Sequence, residues 1–228
     1  MFEDDLLYNA GMVSYFHSDG KIRMSASLMN GNTQKFSGVI NIENVKNPIE
    51  VAQVLMKEDD RVLGGNGAKK YATESGFEQY STEIPQRRKE YEEKLKNGGK
   101  GTVGCVALDK NGSLAAATST GGKGFELVGR ISDSATVAGN FANKYCAVSC
   151  TGVGEDLVSN ATAAKIVTRV TDGFSLGAAV EKTFVELHEI DGFAGIIAID
   201  YHGNIAHQDS YPTMVFASFD GEIFEIFE

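Results

Sequence analysis

Cysteine is scarce in this chain of 228 residues, which has only Cys105, Cys146 and Cys150. The number is odd and no CxxC pair occurs, so a disulfide framework is not expected and buried thiols in a reducing compartment are. The four histidines show no metal-ligand spacing. No signal peptide and no run of about 18 apolar residues is visible, so we expect no membrane partner and a cytoplasmic location.

Positive charge is also in short supply, with 21 lysines and arginines against 31 aspartates and glutamates, a formal net charge of −10. Such a field repels phosphate backbones and argues against nucleic acid as a partner. The glycine-rich stretches 64–67 and 151–154 contain neither GxxxxGK[ST] nor a full GxGxxG, so nucleotide binding is not expected either. The length suits a single domain over residues 1–228.

A β-hairpin is the clearest local pattern. TVGCVALD alternates as a half-buried strand, KNG forms a turn, and SLAAATST returns as a second strand. Thr102 begins this hairpin and Thr120 ends it. We therefore expect the two threonines to meet on one edge.

The remaining elements are predicted from caps and periodicity. Asn47, Pro48 and Glu50 resemble an N-cap, an N1 proline and a capping-box glutamate that start a helix reaching about Lys57. Two further helices are expected over about 155–172 and from after Ser175 to near Gly192, and AGIIAID and NIAHQ flank a YHGN turn. Strands grouped apart from helices favour two sheets between helical layers over a βαβ nucleotide fold.

The Gly101–Thr102 pair carries the chemical signal. A threonine hydroxyl is a poor nucleophile without a base, and a free α-amino group with a pKa of about 7.7–8 is a base carried by the same residue. Cleavage between Gly101 and Thr102 would create nucleophile and base together, the N-terminal-threonine form of the nucleophile–base arrangement. On those two residues alone, an ordinary strand entry is the competing interpretation.

Further motifs decide the interpretation. The blocks in question are EDDLLYNAG, DGKIRMSASLMNG, KNPIEVAQVLM, GTVGCVALD, ATSTGG, GRISDS, SCTGVGE and GIIAIDYHGN. In this order they resemble the plant-type asparaginase and isoaspartyl peptidase family of N-terminal nucleophile hydrolases. The resemblance implies an α+β fold, a four-layer αββα sandwich here without the family's usual N-terminal strand and helix. It also implies autocleavage into an α subunit, 1–101, and a β subunit, 102–228.

The resemblance assigns site residues by position. Thr102 is the nucleophile and Thr120 contacts it, while Thr151 and the amide of Gly152 form the oxyanion hole. A hydroxyl and an N–H fixed in a turn suit that task because they stabilise a developing O⁻ without reorganising. The other assigned residues are Arg130 for the substrate α-carboxylate, Asp133 for its α-ammonium, Gly154 at the substrate site and Asn9 beside the nucleophile.

Arg130 and Asp133 have a second interpretation. An arginine fork suits a carboxylate and an aspartate suits an ammonium, so the pair matches an amino-acid head group. Spaced three apart, the two residues also suit a surface ion pair worth less than about 1 kcal/mol. The neighbouring motifs favour the head-group interpretation.

A structural sodium ion is the only bound group that the resemblance implies, with no cofactor for catalysis. In the family, backbone carbonyls of the opening loop hold the ion, and they map to Phe2, Glu3, Asp5, Tyr8, Ala10 and Met12. Hard oxygen ligands fit such a cation. The side chains of the acidic triplet at 3–5 are interpreted as a solvated turn.

Hydrolysis of β-aspartyl (isoaspartyl) peptides and L-asparagine through an acyl-enzyme is thus the expected function. The partners are a small-molecule or dipeptide substrate and a second copy of the chain, since relatives with this motif set are dimers of αβ units. Two alternatives stay open: an uncleaved homologue with a binding or structural role, and a glycosylasparaginase or protein-directed threonine protease.

Overall fold

The structure is a computed structural model that describes residues 2–5, 8–93, 101–210 and 214–227. Its α-helices are α1 (Pro48–Leu55), α2 (Gly65–Glu74), α3 (Pro85–Glu92), α4 (Gly154–Asn160), α5 (Thr162–Thr171) and α6 (Leu176–His188). The strands are β1 (Met24–Asn30), β2 (Lys35–Ile42), β3 (Val62–Gly64), β4 (Val103–Leu108), β5 (Leu114–Thr120), β6 (Asn140–Ala142), β7 (Cys146–Gly152), β8 (Ala194–Asp200), β9 (Ile205–Asp209), β10 (Phe216–Phe219) and β11 (Phe224–Phe227). Short 3₁₀ helices cover Phe2–Asp4, Gly11–Val13 and Asp133–Ala135.

The strands of the described ranges form two sheets and one separate hairpin. The larger sheet has the order β3-β2-β1-β5-β4, the smaller one β6-β7-β8-β9, and β10 pairs with β11. The smaller sheet is antiparallel throughout, and β8 and β9 flank the YHGN turn as predicted. The mixed α/β character expected from the sequence is confirmed, and the four-layer arrangement stays a prediction.

The chain divides into two compact units. The first comprises Met1–Leu28, Phe36–Val103 and Ala117–Thr136. Its core contains the buried residues Phe16, Met24, Val39, Ile42 and Leu55, so α1 packs its apolar face on strand side chains. The second comprises Met29–Lys35, Gly104–Ala116 and Val137–Glu228. The largest side chains of its core are those of Leu157, Ile166, Phe184, Leu187 and Ile196.

The predicted helix over 155–172 is wrong in one respect, because it is two helices. Ala161, between α4 and α5, has left-handed backbone angles, φ 51° and ψ 43°. The neighbouring Asn160 is buried, and its amide donates to Thr162 Oγ1 at 3.2 Å while Lys165 Nζ donates to its Oδ1 at 2.7 Å. These side-chain bonds anchor the break. Helix α6 begins after its Ser175 cap as predicted, and ends at His188, four residues before Gly192.

The start of α1 corrects two predictions. Pro48 is the first helical residue, but Asn47 makes no side-chain cap and donates instead to Asp4 Oδ1 at 3.3 Å. The N–H of Ile49 is satisfied by Glu3 Oε1 at 3.1 Å. Glu3 is 3 % exposed, so its side chain is not part of a solvated turn. A helix N-terminus favours a nearby acidic group, and Glu3 occupies that position at the N-terminus of α1.

Candidate active site

The hairpin formed by β4 and β5 delivers both threonines to one place. Its turn is held by Asp109 Oδ1, which accepts the N–H groups of Asn111 and Ser113, each at 2.8 Å. Gly112 takes a φ of +78°, a value that glycine adopts without strain. The predicted hairpin is confirmed, and its two ends return to the same edge.

The hydroxyl groups of Thr102 and Thr120 are in contact. Thr102 Oγ1 donates to Thr120 Oγ1 at 3.3 Å. Thr120 Oγ1 in turn donates to the carbonyl oxygen of Gly101 at 3.2 Å and accepts the N–H of Gly122 at 3.2 Å. A hydroxyl has one proton and two lone pairs, so these three bonds fully use that of Thr120. One of its two lone pairs accepts the Gly122 N–H, and the other accepts the proton of Thr102.

Asn9 holds the same carbonyl from the other side. Its Nδ2 donates to Gly101 O at 3.0 Å and to Gly122 O at 2.5 Å. A Cβ atom on residue 101 would lie 2.9 Å from Asn9 Cβ, so only glycine permits this approach. The carbonyl of the Gly101–Thr102 bond thus accepts from two donors, Asn9 and Thr120. That arrangement can stabilise negative charge on its oxygen.

Behind Thr120, a buried carboxyl group supports the end of β5. Ser119 Oγ donates to Glu3 Oε1 at 2.5 Å, the same oxygen that caps α1. Burial raises the pKa of Glu3 to about 7, against the opposing effect of the bonds from Ser119 and Ile49. The sequence predicts a role for the backbone carbonyl of Glu3 alone. Its side-chain partners lie far away in sequence, so no local pattern pointed to them.

The opening loop contains the carbonyls assigned to sodium. Those of Phe2, Asp5 and Tyr8 accept the N–H groups of Asp5, Tyr8 and Ala10, respectively, and a carbonyl oxygen has two lone pairs. Gly11, with φ +59°, packs so closely that a Cβ there would lie 2.3 Å from Glu3 O. Neutral oxygen donors fit a hard monovalent cation.

The two residues assigned to the substrate head group lie after β5. Arg130 Nη1 lies 3.4 Å from Glu126 Oε2, and both side chains are largely buried. Asp133 is 5 % exposed and opens the 3₁₀ helix Asp133–Ala135, while its carbonyl accepts the N–H and hydroxyl of Thr136. Glu126 was not singled out from the sequence.

The residues assigned to the oxyanion hole belong to the second unit. Thr151 and Gly152 end β7, in register with Gly195 and Ala194 of β8. Gly152 has φ +127°, and a Cβ there would lie 2.7 Å from Phe193 O, so the turn requires glycine. Gly154 is buried and begins α4. The roles of Thr151, Gly152 and Gly154 stay predictions.

The cysteines follow the expectation in part. All three are free thiols; Cys146 and Cys150 are buried, whereas Cys105 is exposed. Burial, aided by Asp200, raises the pKa of Cys146 to about 12. Among the described residues, no three His, Cys, Asp or Glu side chains cluster as metal ligands. No helix in the described ranges is both long and apolar enough to cross a bilayer.

Comparison with known proteins places the motifs in context. A sequence model of the asparaginase family matches residues 1–97 and 81–226. An isoaspartyl peptidase/L-asparaginase of Nostoc sp. is 45% identical over 242 residues, covering 97% of this chain and 76% of the relative. The isoaspartyl peptidase of Escherichia coli is 39% identical, covering 90% and 71%. A plant-type L-asparaginase of Pyrococcus abyssi is 35% identical, covering 95% and 79%.

Proposed function

This chain belongs to the asparaginase family, and from that premise we propose that it hydrolyses isoaspartyl peptides and L-asparagine with Thr102 as nucleophile. The observation that carries the proposal is the bonded set formed by Thr102, Thr120, Asn9 and the Gly101 carbonyl. It joins a nucleophile, an acceptor for the proton and two donors to the oxygen of one peptide bond. An ordinary strand entry needs none of these.

The first reaction is cleavage of the chain itself. Thr102 Oγ attacks the Gly101 carbonyl carbon, its proton passes by way of Thr120 to the departing Thr102 nitrogen, and an ester replaces the peptide bond. Asn9 Nδ2 and the Thr120 hydroxyl stabilise the oxyanion during the attack. Water then hydrolyses the ester, which leaves a carboxylate on Gly101 and a free amino group on Thr102.

The second reaction uses the new N-terminus. The α-amino group of Thr102 takes the proton of its own hydroxyl, and the oxygen attacks the β-amide or isopeptide carbonyl of the substrate. Thr151 and the Gly152 N–H donate to the oxyanion, and the amine leaves with the proton that the α-amino group of Thr102 had taken up. Water releases aspartate from the acyl-enzyme and restores the threonine. The family resemblance and the fixed backbone of Gly152 support this assignment.

The αββα sandwich is the fold that we propose for this chemistry. It rests on membership of the family and on the two sheets and six helices of the described ranges. A sodium ion would be held by the carbonyls of Phe2, Glu3, Asp5, Tyr8, Ala10 and Met12. It would neutralise the dipoles of converging carbonyls and rigidify the loop that carries Asn9, and it would take no part in bond making.

Substrates should need both a free α-carboxylate and a free α-amine. Arg130 is assigned to the first group and Asp133 to the second, and a buried charge left without its partner is costly. We expect kcat/KM for an isoaspartyl dipeptide to be at least about 100-fold higher than for its N-acetylated form. Acetylation removes a charge-assisted hydrogen bond worth about 3 kcal/mol. Amine release by each peptide measures the ratio.

The matched control is the same dipeptide in its ordinary α-linked form, which should not be cleaved. Equal turnover of the acetylated and free isoaspartyl peptides would remove Asp133 from its role. Turnover of a glycosylated asparagine in preference to both would support the glycosylasparaginase alternative instead.

A homodimer in the cytoplasm is the proposed state of the protein. The segment after β5 exposes Leu127, Val128 and Ile131, which are 80%, 56% and 56% accessible, and neighbouring apolar side chains of this kind are common where copies meet. We expect light scattering after size exclusion to give about twice the chain mass of 24.5 kDa. A stable monomer at micromolar concentration would contradict it.

A further inference from the structure

Glu126 is a buried carboxylate that the proposed chemistry does not use. Its side chain is 3 % exposed, and a charged group at that depth needs partners to offset its lost hydration. Its Oε2 accepts the N–H of Lys123 at 2.7 Å and faces Arg130 Nη1 at 3.4 Å. Its Oε1 lies 3.0 Å from Nε2 of the buried His17.

These partners keep Glu126 ionised. Burial alone would raise the pKa of its carboxyl, but His17, the Lys123 N–H and the Arg130 guanidinium hold that pKa below its usual range. Arg130, whose side chain is 12% exposed, therefore has a negatively charged neighbour four residues before it. A guanidinium presents its N–H donors as a planar fork, a geometry that matches a carboxylate.

Glu126 also touches the backbone around the threonine pair. A Cβ on Gly122 would lie 2.6 Å from Glu126 Oε1 and 2.7 Å from Oε2, so glycine is needed to admit the carboxylate. That same Gly122 donates its N–H to Thr120 Oγ1 and accepts from Asn9 Nδ2 through its carbonyl. The Glu126 carboxylate thus lies against Gly122, in the turn that holds Thr120, and also faces Arg130, four residues further along the chain.

We propose that Glu126 is a positioning residue that holds the guanidinium of Arg130 in place to receive the α-carboxylate of the substrate. The inference rests on the proposed function, in which Arg130 binds that carboxylate. Arginine has high rotamer freedom, and a side chain already anchored in the free enzyme loses less of it on binding. Without the Glu126 carboxylate, the largely buried charge of Arg130 would lose this neighbour and its side chain would be less restrained.

Glu126→Gln tests the inference, because it preserves size and the acceptor for Lys123 while removing the charge. We expect KM for an isoaspartyl dipeptide and Kd for L-aspartate each to rise about tenfold, as when one charge-assisted bond is weakened. The kcat should stay within about threefold, since the bond-making groups are untouched. Cleavage at Gly101–Thr102 should proceed as in the wild type.

Asp19→Asn is the matched control, because Asp19 forms an i,i+4 pair with Arg23 in the same unit. It should change neither KM nor Kd. If Glu126→Gln fails to fold by circular dichroism, Glu126→Asp takes its place: it retains the charge with a shorter reach, and the same rise is expected.

The outcomes separate the two claims. Unchanged or tighter aspartate binding by the Glu126 variants overturns the inference, as does a fall in kcat at constant KM. A wild-type enzyme that binds L-aspartate but cleaves no isoaspartyl dipeptide refutes the proposed function, while weaker binding by the variants still supports the inference. A wild type that does not bind L-aspartate overturns both.

Discussion

The Thr102→Ala protein is expected to remain one chain of 24.5 kDa and to show no isoaspartyl hydrolysis above background. Alanine removes the Thr102 hydroxyl that donates to Thr120, so neither the attack on Gly101 nor the later attack on substrate can occur. Removal of a catalytic nucleophile typically lowers kcat by about 10⁵–10⁶. This is the largest effect that we expect from any single substitution in the chain.

Denaturing mass spectrometry measures the first half of this result. The wild type should give two fragments, residues 1–101 and 102–228. Thr102→Ser retains a hydroxyl and should still cut. Thr73→Ala is the matched control, since the Thr73 hydroxyl bonds only within and near α2 in the described contacts and should leave cutting unchanged. Cleavage of the Thr102→Ala chain at this bond would refute the intramolecular attack.

Asn9→Ala is expected to slow chain cleavage by about 10²–10³, the loss typical of removing one oxyanion donor. Its Nδ2 makes the 3.0 Å bond to the Gly101 carbonyl, and Thr120 alone cannot supply both donors. Asn9→Asp preserves shape but places a carboxylate where negative charge develops. It should therefore be no faster than the alanine variant, whereas a merely structural role predicts near-normal cutting by aspartate.

A time course of fragment formation after cell-free synthesis provides the rate for each Asn9 variant. Asn32→Ala is the control, because Asn32 is an exposed asparagine whose amide donates to Ser113 Oγ in the turn region. It should cut at the wild-type rate. Wild-type cutting by Asn9→Ala would show that the Thr120 hydroxyl suffices and that Asn9 only supports the loop.

The parts of the site that could be predicted are those with local signals. The hairpin follows from strand alternation and the KNG turn, so the meeting of Thr102 and Thr120 could be inferred from spacing alone. The placement of Asn9 came from resemblance, because nothing local to YNAG indicates a bond to a carbonyl 92 residues away.

The rest depends on partners distant in sequence. The sequence predicts a solvent-exposed side chain for Glu3, whereas in the structure it is buried and accepts from Ser119 and the N–H of Ile49. Glu126 lies within an apolar stretch that gives no hint of His17 across from it. At Ala161, alanine favours a continuous helix, but the chain breaks there beside Asn160, which bonds to Thr162 and to the distant carbonyl of Thr183.

Asn9 and Thr120, which donate to the Gly101 carbonyl, would still bind this group after the proposed cleavage of the Gly101–Thr102 bond. When the ester is hydrolysed, that carbonyl becomes a carboxylate, a better acceptor for Asn9 and Thr120 than the amide it replaces. In the proposed cleavage, the new C-terminal glycine would then remain bound at the site and act as a product inhibitor. Hydrolytic activity should therefore appear later than cleavage of the chain, with a delay set by the time that this terminal glycine stays bound.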